Sequence, residues 1–344
     1  MAVAPRVIAF VMAGGEGVRL RPYTAQQPKP ALPFAGPYKI IDFVLSNLYN
    51  SGVRRIFVLL QYKPEPLIAH LAAHWSGAGL APGEFIEPVL PGRAQGAFRG
   101  TADAVRQNLD LLEGCRADIV AVFAADHVYR MDVRQMIACH QAASADATVA
   151  ALPVDIEQAR EFGVLGTRAD GRIVEFQEKP ERPAPMPGDA RCALVSMGNY
   201  LFRPEVLREA LRGEAVPGND FGRDVLPRLI ARHRVVAYDF RRNIVPGLRR
   251  GEECGYWRDV GTLDAYAAAH RDVQGPRPRL ALDNPEWPIR AGRRAAEVRL
   301  ARRAPDAYAP LAGCGQPRAQ QAGEGLQQAD RVVAGGAREN IVVA

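Results

Sequence analysis

A glycine-rich loop close to the N-terminus carries residues whose types and spacing could bind a chain of phosphates. Three glycines come shortly after an apolar run at residues 7–12: Gly14, Gly15 and Gly17. Because glycine lacks a side chain, such a loop after a buried strand lets backbone N–H groups approach an anion closely. Arg19 and Lys29 add two fixed positive charges nearby in the sequence. The pattern predicts a site for a triphosphate.

Two well-known phosphate-binding motifs do not describe this loop. No Gly-Lys-Ser/Thr closes it, as a P-loop would require. Gly15 and Gly17 meet half of the dinucleotide pattern G-x-G-x-x-G, but Leu20 stands where the third glycine would let helix and strand pack closely. These observations argue against a P-loop NTPase and a Rossmann dehydrogenase. Taken alone, the loop could still be a structural turn.

A second candidate for chemistry is Asp126, which follows an apolar run at residues 119–123. A carboxylate at the end of a buried strand is either the N-cap of a helix or a ligand for a hard cation. The residues alone leave both interpretations open.

The elements that must position these residues alternate along the chain. Apolar runs rich in β-branched residues predict strands at 7–12, 56–60, 119–123 and 148–153, and helical periodicity predicts helices at 66–75, 101–113 and 133–143. This alternation predicts βαβ crossovers and an α/β fold with a Rossmann-like, mostly parallel sheet covered on both faces. Ligands of such sheets bind beyond the carboxyl ends of the strands. We therefore expect the glycine loop and Asp126 at the same edge.

Further short motifs continue to about residue 289. In chain order they are Pro28-Lys29-Pro30, Ile40-Ile41-Asp42-Phe43, Leu45-Ser46-Asn47, Gln61-Tyr62, Arg99-Gly100-Thr101-Ala102-Asp103, Asp126-His127-Val128-Tyr129, Phe162-Gly163-Val164, Glu178-Lys179-Pro180, Ser196-Met197-Gly198, Asp220-Phe221-Gly222 and Tyr256-Trp257-Arg258-Asp259-Val260-Gly261-Thr262. Together with Gly-Gly-x-Gly-x-Arg-Leu, the series resembles sugar-1-phosphate nucleotidylyltransferases, and among these the bacterial glucose-1-phosphate adenylyltransferases (ADP-glucose pyrophosphorylases).

The resemblance implies a mixed sheet of the nucleotide-diphospho-sugar transferase type and a specific reaction. Glucose 1-phosphate attacks the α-phosphorus of ATP, which gives ADP-glucose, for glycogen biosynthesis, and pyrophosphate. Asp126 and Asp259 are expected to hold the cofactor Mg²⁺, an ion that proteins bind with only one or two carboxylates. The nucleophile is already an anion, so catalysis needs positioning and charge neutralisation rather than a general base. Arg19, Lys29 and Asp126 are the predicted catalytic residues.

The same resemblance assigns residues to two pockets. Those expected to bind glucose 1-phosphate are Phe98, Gly163, Glu178, Lys179 and Ser196, with Lys179 on the phosphate and Glu178 on sugar hydroxyls. Those expected to bind the nucleotide are Gly14, Gly15, Gly17, Gln61, Gly100 and Asp103. The turn Asp170-Gly171 also predicts a hairpin whose second strand, at residues 172–176, leads directly to Lys179.

Two positions depart from the family pattern. Gln26 and Gln27 precede Pro28 where basic residues usually help to bind a sugar-phosphate activator, which argues against activation by fructose 1,6-bisphosphate. Ala97-Phe98 replaces a common Trp-Tyr pair. The missing hydroxyl removes a hydrogen bond to glucose 1-phosphate that would contribute about 0.5–1.5 kcal/mol.

The C-terminal part departs further. The motifs predict a catalytic domain at 1–275, a linker at 276–289 and a tail at 290–344 that is rich in Ala, Arg and Gly. The tail has few large apolar residues and is expected to be disordered. The family normally continues into a left-handed β-helix of hexapeptide repeats. Because no such repeat is visible, we expect the β-helix to be absent, through truncation or a shifted reading frame, and the family's tetramer to become a homo-oligomer of lower order.

Composition describes an ordinary globular protein, with 48% apolar and 24% charged residues in 344. Five scattered cysteines without C-x-x-C spacing indicate neither a disulfide framework nor a zinc site, which favours the cytoplasm. The N-terminal apolar run is too short for a signal peptide or a membrane span. Of the net charge of +6, the tail carries nine arginines against five acidic residues. No aromatic residues alternate with the remaining basic residues, so neither nucleic acid nor a membrane is an expected partner.

Three functions stay open from the sequence. The first is the adenylyltransferase, and the second is a sugar-1-phosphate nucleotidylyltransferase that uses UTP, dTTP or GTP instead of ATP. The third is a non-catalytic regulatory or binding subunit. The presence of Asp126, Lys179 and Asp259 argues against a non-catalytic subunit, whereas the expected lack of the β-helix argues for it.

Overall fold

The computed structural model describes residues 4–76, 80–92, 96–212 and 218–291. Its strands are β1 Val7–Met12, β2 Pro33–Phe34, β3 Tyr38–Lys39, β4 Arg55–Leu59, β5 Phe85–Val89, β6 Ile119–Ala124, β7 His127–Tyr129, β8 Ala147–Asp155, β9 Gly163–Thr167, β10 Ile173–Glu178, β11 Cys192–Phe202, β12 Val235–Asp239 and β13 Trp257–Asp259. Its α-helices are α1 Ile41–Asn50, α2 Glu65–His74, α3 Thr101–Arg106, α4 Val133–Ala142, α5 Pro204–Arg212, α6 Leu226–Arg232 and α7 Leu263–Asp272.

Within these described ranges, nine of the strands form one mixed sheet. The strand order along its main path is β10-β9-β11-β6-β1-β4-β5. Strand β8 pairs with β11 in the antiparallel sense and with β12 in the parallel sense. The centre, β6-β1-β4-β5, is parallel, as the alternation of strands and helices predicted. The antiparallel strand β11 connects this centre to the hairpin β9-β10. The predicted α/β fold with a mixed, Rossmann-like sheet is confirmed.

Both faces of the central strands are buried, which explains their unbroken apolar sequences. Ile8 and Phe10 of β1 point into one hydrophobic cluster, and Ala9 and Val11 point into the other. Successive side chains of a strand point to opposite faces, so a strand covered on both faces has no position for a polar residue. No helix in the described part of the chain combines the length and apolar character needed to cross a bilayer.

The helix predicted at 101–113 is shorter than expected. Helix α3 ends at Arg106, and a separate 3-10 helix follows at Leu109–Leu112. Asn108 explains the break, because its side-chain amide donates to the carbonyl of Ala104 at 2.8 Å, the acceptor that its own backbone N–H would use in a continuing α-helix. That N–H bonds Val105 instead, three residues back.

The segment predicted as a linker packs closely against the rest of the described chain. Leu280, Leu282 and Ile289 are each no more than 8% exposed and join Leu20 and Phe34 in a third hydrophobic cluster. Because Leu20 closely follows the glycine loop, this segment packs against the part of the chain that carries the loop. The domain boundaries at 275 and 289 stay predictions, and the predicted tail lies outside the described residues from 292 onward, as does the question of a β-helix.

Candidate active site

The candidate site lies at the carboxyl edge of the central strands. Strands β1 and β6 are adjacent and parallel, and Met12 pairs with Ala124 at their ends. The glycine loop therefore begins beside the turn that carries Asp126. The register of two neighbouring strands brings together two segments that are more than a hundred residues apart, as expected from the sequence.

Asp259 reaches Asp126 through a separate strand pair. Strand β13 runs antiparallel to β7, with Asp259 opposite His127. The backbone pairing thus places the two carboxylates side by side. Lys29 lies between them, with its Nζ 3.1 Å from Asp126 Oδ2 and 2.9 Å from Asp259 Oδ1. The structure therefore joins three of the predicted residues in one ion-pair network.

The charges in this network stabilise one another. Lys29 is only 6% exposed. Burial disfavours its ammonium, but the attraction of Asp126 and Asp259 outweighs that effect and raises the pKa of Lys29. Desolvation acts on Asp126 in the opposite sense, and the charges of Lys29 and His127 overcome it and hold the pKa of that carboxyl well below its usual range. Lys29 is thus cationic and Asp126 anionic at neutral pH.

The same group of side chains fits a divalent metal ion. Ligand atoms of Asp126, His127 and Asp259 all lie within 4.8 Å of one another. Two carboxylates are the donors that hard cations prefer, and phosphates and water normally complete such a site. His127 Nε2 lies 3.3 Å from Asp126 Oδ1, while its buried Nδ1 has no hydrogen-bond partner in the described structure. The ring also packs beside Trp257 with centroids 5.0 Å apart, which fixes the turn.

Arg19 lies beside the carboxylates with an exposed guanidinium. Its Nη1 is 3.6 Å from Glu161 Oε2, and 59% of the side chain is exposed. A Cβ added to Gly261 would lie 3.0 Å from Arg19 Nη2 and 3.1 Å from Asp259 Oδ2. Gly261 therefore leaves room for both charged groups. Sequence reasoning gave it no role, although it belongs to one of the recognised motifs.

The glycines of the loop have different local functions. Gly17 has a left-handed backbone (φ 64°), and a Cβ there would lie 2.9 Å from the Cβ of Lys29. A Cβ on Gly14 would lie 3.2 Å from that of Gln61. A Cβ on Gly15 would meet no atom of the described structure within 4 Å. Gly17 thus lets Lys29 pack against the loop, while Gly15 keeps an open approach to the backbone.

Gln61 and Phe98 form one unit at the predicted nucleotide pocket. The side-chain amide of Gln61 donates to the carbonyl of Phe98 at 3.1 Å and accepts from its backbone N–H. The ring of Phe98 is 9% exposed and belongs to a hydrophobic cluster. These contacts indicate that both residues fix the backbone of the loop that precedes α3. Their predicted contacts with substrates stay predictions.

Gly100 and Asp103 fix the start of α3. A Cβ on Gly100 would lie 2.5 Å from the carbonyl oxygen of Asn219, which accepts from Ala102 N at 2.7 Å. Asp103 is 1% exposed and accepts hydrogen bonds from Arg99 N, Arg106 and Gln107. Burial acts against its charge, yet these donors lower the pKa of Asp103. The placement favours an indirect role for Asp103 in shaping the nucleotide pocket.

The predicted sugar pocket forms around strands β9 and β10. A Cβ on Gly163 would overlap the ring of Phe176 and lie 3.2 Å from Glu178 Oε2, and a Cβ on Gly222 would lie 2.9 Å from the same oxygen. The two glycines therefore leave space around this carboxylate. Burial, and then the charge of Asp220, raises the pKa of Glu178. Sequence reasoning did not assign Gly222, although its motif was recognised.

Lys179 and Ser196 complete the predicted pocket. Lys179 has a positive φ of 46°, and its backbone N–H donates to Phe162 O at 3.1 Å. Its side chain lines an open cavity of about 520 Å³ together with Arg160, Pro180, Glu181 and Arg182. Ser196 Oγ accepts from Gly198 N at 3.2 Å, at the point where strand β11 bulges. The cavity is lined by three cations and one carboxylate, which favours an anionic ligand.

The fold and the site define a protein of the nucleotidyl transferase class, and the nucleotidyl transferase family model matches residues 8–275. Three similar proteins have the name glucose-1-phosphate adenylyltransferase. That of Thermodesulfovibrio yellowstonii is 48% identical over 293 residues, which cover 84% of this chain and 71% of that protein. That of Thermus thermophilus is 46% identical over 298 residues (84% and 72%), and that of Mycolicibacterium smegmatis is 46% identical over 291 residues (83% and 72%).

The chain belongs to the glucose-1-phosphate adenylyltransferase family of nucleotidyl transferases. The resemblance inferred from the motifs is thereby confirmed. Nucleotidyl transferases of this type generally use a divalent metal ion, for which Asp126 and Asp259 form a suitable pair.

Proposed function

We propose that this chain transfers the adenylyl group of ATP to glucose 1-phosphate and gives ADP-glucose, for glycogen biosynthesis, and pyrophosphate. The observation that carries the proposal is the joining of Lys29, Asp126 and Asp259 at the carboxyl edge of the sheet, next to the glycine loop. Relatives with 46–48% identity and the name glucose-1-phosphate adenylyltransferase support the choice of substrates.

The reaction is a displacement at phosphorus that needs no proton transfer. A phosphate oxygen of glucose 1-phosphate forms a bond to the α-phosphorus of ATP. The bond from that phosphorus to the oxygen of the β-phosphate breaks, and its electron pair leaves with pyrophosphate. Negative charge therefore grows on the leaving group, and preorganised cations stabilise it. Arg19, Lys29 and the N–H groups at Gly14, Gly15 and Gly17 are placed for that task.

The acidic residues hold the cation that the reaction requires. Asp126 and Asp259 would bind Mg²⁺, because two carboxylates with phosphate and water suit its preference for oxygen ligands. When bound, the ion neutralises charge on the phosphates and brings the nucleophile and the α-phosphate together. His127 packs against Trp257 and holds Asp126 in place.

The sugar substrate would lie next to the paired ends of strands β9 and β10, where Gly163 is opposite Glu178. Lys179 provides a cation for its phosphate, and Glu178 accepts hydrogen bonds from sugar hydroxyls. Gly163 and Ser196 would line the same pocket, and Phe98, which Gln61 holds in place, would contact the sugar from the neighbouring loop. Gln61, Gly100 and Asp103 shape the nucleotide pocket by holding the backbone of residues 98–103. The positions of these side chains support the assignment.

Three broader proposals accompany the reaction. A cytoplasmic location is supported by the scattered cysteines, and a homo-oligomer by the family's usual tetramer. The third is the division into a catalytic domain at 1–275, a segment at 276–289 and a tail at 290–344. It is supported by the end of the family match at residue 275 and by the composition of the tail.

A direct test measures pyrophosphate release from glucose 1-phosphate with Mg²⁺ and each of ATP, UTP, dTTP and GTP in parallel assays. Release chiefly with ATP is the expected result. Release with another nucleotide would keep the mechanism and replace the proposed substrate. If folded protein released no pyrophosphate with any of the four, the chain would be a non-catalytic or binding subunit and the proposal would be wrong.

A further inference from the structure

Lys29 occupies the position between the two carboxylates that are proposed to hold the metal. Its Nζ contacts one oxygen of Asp126 and one of Asp259 at about equal distances, 3.1 and 2.9 Å. The side chain of Lys29 is 7% exposed and those of Asp126 and Asp259 are 41% and 23% exposed, so water screens the two ion pairs only in part. An ammonium ion in this place neutralises the same pair of charges that a divalent cation would neutralise.

The backbone of Lys29 is held firmly, whereas its side chain could reach the proposed binding place for the nucleotide phosphates. Lys29 begins a 3-10 helix between Pro28 and Pro30, and its Cβ packs against Gly17. The residue therefore cannot move as a whole. The glycine loop that Gly17 belongs to is the proposed binding place for the phosphates of the nucleotide. A rotation of the long side chain could carry Nζ from the carboxylates to those phosphates.

We propose that Lys29 is an internal counter-ion that competes with the metal for Asp126 and Asp259. The proposal rests on the assignment of these two aspartates as metal ligands in the proposed function. Lys29 keeps the carboxylates together and weakens the binding of a divalent cation to the enzyme alone. The nucleotide phosphates offer Lys29 a new partner and thereby open the carboxylates to the cation. Metal and nucleotide therefore bind cooperatively, and Lys29 is the residue that couples them.

The composition of the chain makes this exchange easy to observe. Only four of its 44 basic residues are lysines: Lys29, Lys39, Lys63 and Lys179. A ¹H–¹⁵N spectrum of the lysine ammonium groups therefore has at most four signals. That of Lys29 can be assigned by elimination with variants of the other three, so the metal titration itself is done on the unaltered chain.

The first test adds Mg²⁺ to the full chain after chelation, without nucleotide or sugar. Saturating Mg²⁺ is expected to shift or broaden the Lys29 signal and to leave those of Lys39 and Lys63 unchanged. If the Lys29 signal stayed the same at saturation, the ammonium and the cation would not compete and the proposal would be wrong. Because no substrate is present, the result does not depend on whether the enzyme turns over ATP.

The second test measures Mn²⁺ binding to the same chelated protein by electron paramagnetic resonance. Lys29→Gln removes the competing charge, so its affinity for Mn²⁺ is expected to rise at least about tenfold over that of the unaltered chain. Lys63→Gln is the matched control, since Lys63 bonds Ala25 O and Gln26 near the same loop but touches neither aspartate. The additional change Asp126→Asn should abolish the gain. Equal or weaker binding by a folded Lys29→Gln variant would overturn the proposal.

Discussion

Three charged residues meet at the candidate site although they are far apart in the chain. Lys29 lies 97 residues from Asp126 and 230 residues from Asp259. Each is placed by a different local structure: a 3-10 helix, the turn after β6 and the end of β13. The site therefore depends on the register of two strand pairs more than on any single motif.

Replacement of Asp126 tests the proposed metal site at the level of one carboxylate. Asp126→Asn removes a preorganised charge and should raise the activation barrier by at least about 3 kcal/mol, or about a hundredfold in kcat. Pyrophosphate release measures the effect. Asp118→Asn is a matched control at the opposite end of the same strand, where the carboxylate pairs with Arg6 on the surface. Turnover of Asp126→Asn close to that of the control would exclude Asp126 from the metal site.

Glu178 should give the binding of glucose 1-phosphate a distinct pH dependence. Burial and Asp220 raise the pKa of Glu178 above the usual 4.5, so this carboxylate takes up a proton at a higher pH than an exposed glutamate would. As the pH falls through the raised pKa, the charged acceptor of sugar hydroxyls becomes a neutral and weaker one, so KM should rise. KM is measured against pH for the unaltered chain, Glu178→Gln and Glu175→Gln.

Glu178→Gln should raise KM about ten- to a hundredfold near neutral pH and make it less sensitive to acid, because a hydrogen bond to a charged group is lost. Glu175 lies on the same strand and is also exposed, but it packs against Gly166 and not against Gly163, so Glu175→Gln should follow the unaltered chain. An acid limb that persists in Glu178→Gln would show that another group causes it.

Replacement of Gly163 tests whether the predicted sugar pocket depends on the close packing of Gly163 against Phe176. Gly163→Ala forces a methyl group into the ring of Phe176 and toward Glu178, which should destabilise the fold by about 1–3 kcal/mol and raise KM for glucose 1-phosphate. Thermal unfolding and steady-state kinetics measure the two effects. Gly114→Ala is the comparison, because a Cβ there meets no described atom within 4 Å. Similar melting temperatures for both variants would contradict the packing argument.

The sequence predicted which residues lie together at the edge of the sheet better than it predicted what their side chains touch. Gly17, Lys29 and Asp126 follow strands or lie in short motifs, so their positions at the sheet edge could be anticipated. The contact of Lys29 with both aspartates could not, because it depends on tertiary distances. Asp103 lies in a recognised motif and Phe98 directly precedes it, but the side chains of both turn inward and fix the loop. A motif locates a residue in the chain and does not give the direction of its side chain.

At the scale of elements, helices α1 and α2 are joined by a fully buried carboxylate. Asp42 is hydrogen-bonded to His70 at 2.7 Å, to the indole of Trp75 at 2.8 Å and to the backbone N–H of Lys39 at 2.8 Å. The spacing of His70 and His74 on one helix face could suggest a metal site, but His70 uses its Nε2 for Asp42. The contact anchors α2 beside the segment that follows Lys29.

Asp42→Ala should lower the free energy of unfolding by about 3 kcal/mol or more, because it leaves three buried donors without an acceptor. Urea unfolding followed by circular dichroism gives this value. Asp264→Ala, which removes an exposed carboxylate from the first turn of α7, should cost less than about 1 kcal/mol. A loss in Asp42→Ala no greater than in Asp264→Ala would mean that water replaces the missing acceptor.

Helices α1, α5, α6 and α7 were not predicted. Strands β1, β4, β6 and β8 and helices α2, α3 and α4 were predicted, because their apolar periodicity is strong. The short strands β7 and β13 were not, since three residues give no periodic signal and their pairing joins distant parts of the chain. Strand β11 was missed for a related reason. It pairs with β9 before its bulge and with β6 after it, so its sequence matches no single environment.

At the scale of the whole molecule, the segment after residue 275 contributes to the core. A chain shortened to end at Ala291 should melt within about 3 °C of the full chain, because it keeps the buried residues of that segment. A chain that ends at Gly275 loses Leu280, Leu282 and Ile289, each of which contributes about 1.5–3 kcal/mol by burial. Its melting temperature should fall by more than about 10 °C.

Differential scanning calorimetry of the three chains measures these effects. A large drop for the chain that ends at Ala291 would contradict the prediction that residues 292–344 add little to stability. Equal melting of all three chains would show that the packing of the segment after Gly275 does not stabilise the domain.

The scarcity of lysine also determines how proteases and acylating reagents act on this chain. Lys29, Lys63 and Lys179 each precede a proline, and trypsin cleaves such bonds slowly. The remaining bond, Lys39–Ile40, lies between β3 and α1, where Ile40 is fully buried. Trypsin should therefore cut the folded chain mainly after its arginines. Acylating reagents should modify Lys179, which is exposed, far more readily than Lys29, which is buried and ion-paired with two carboxylates.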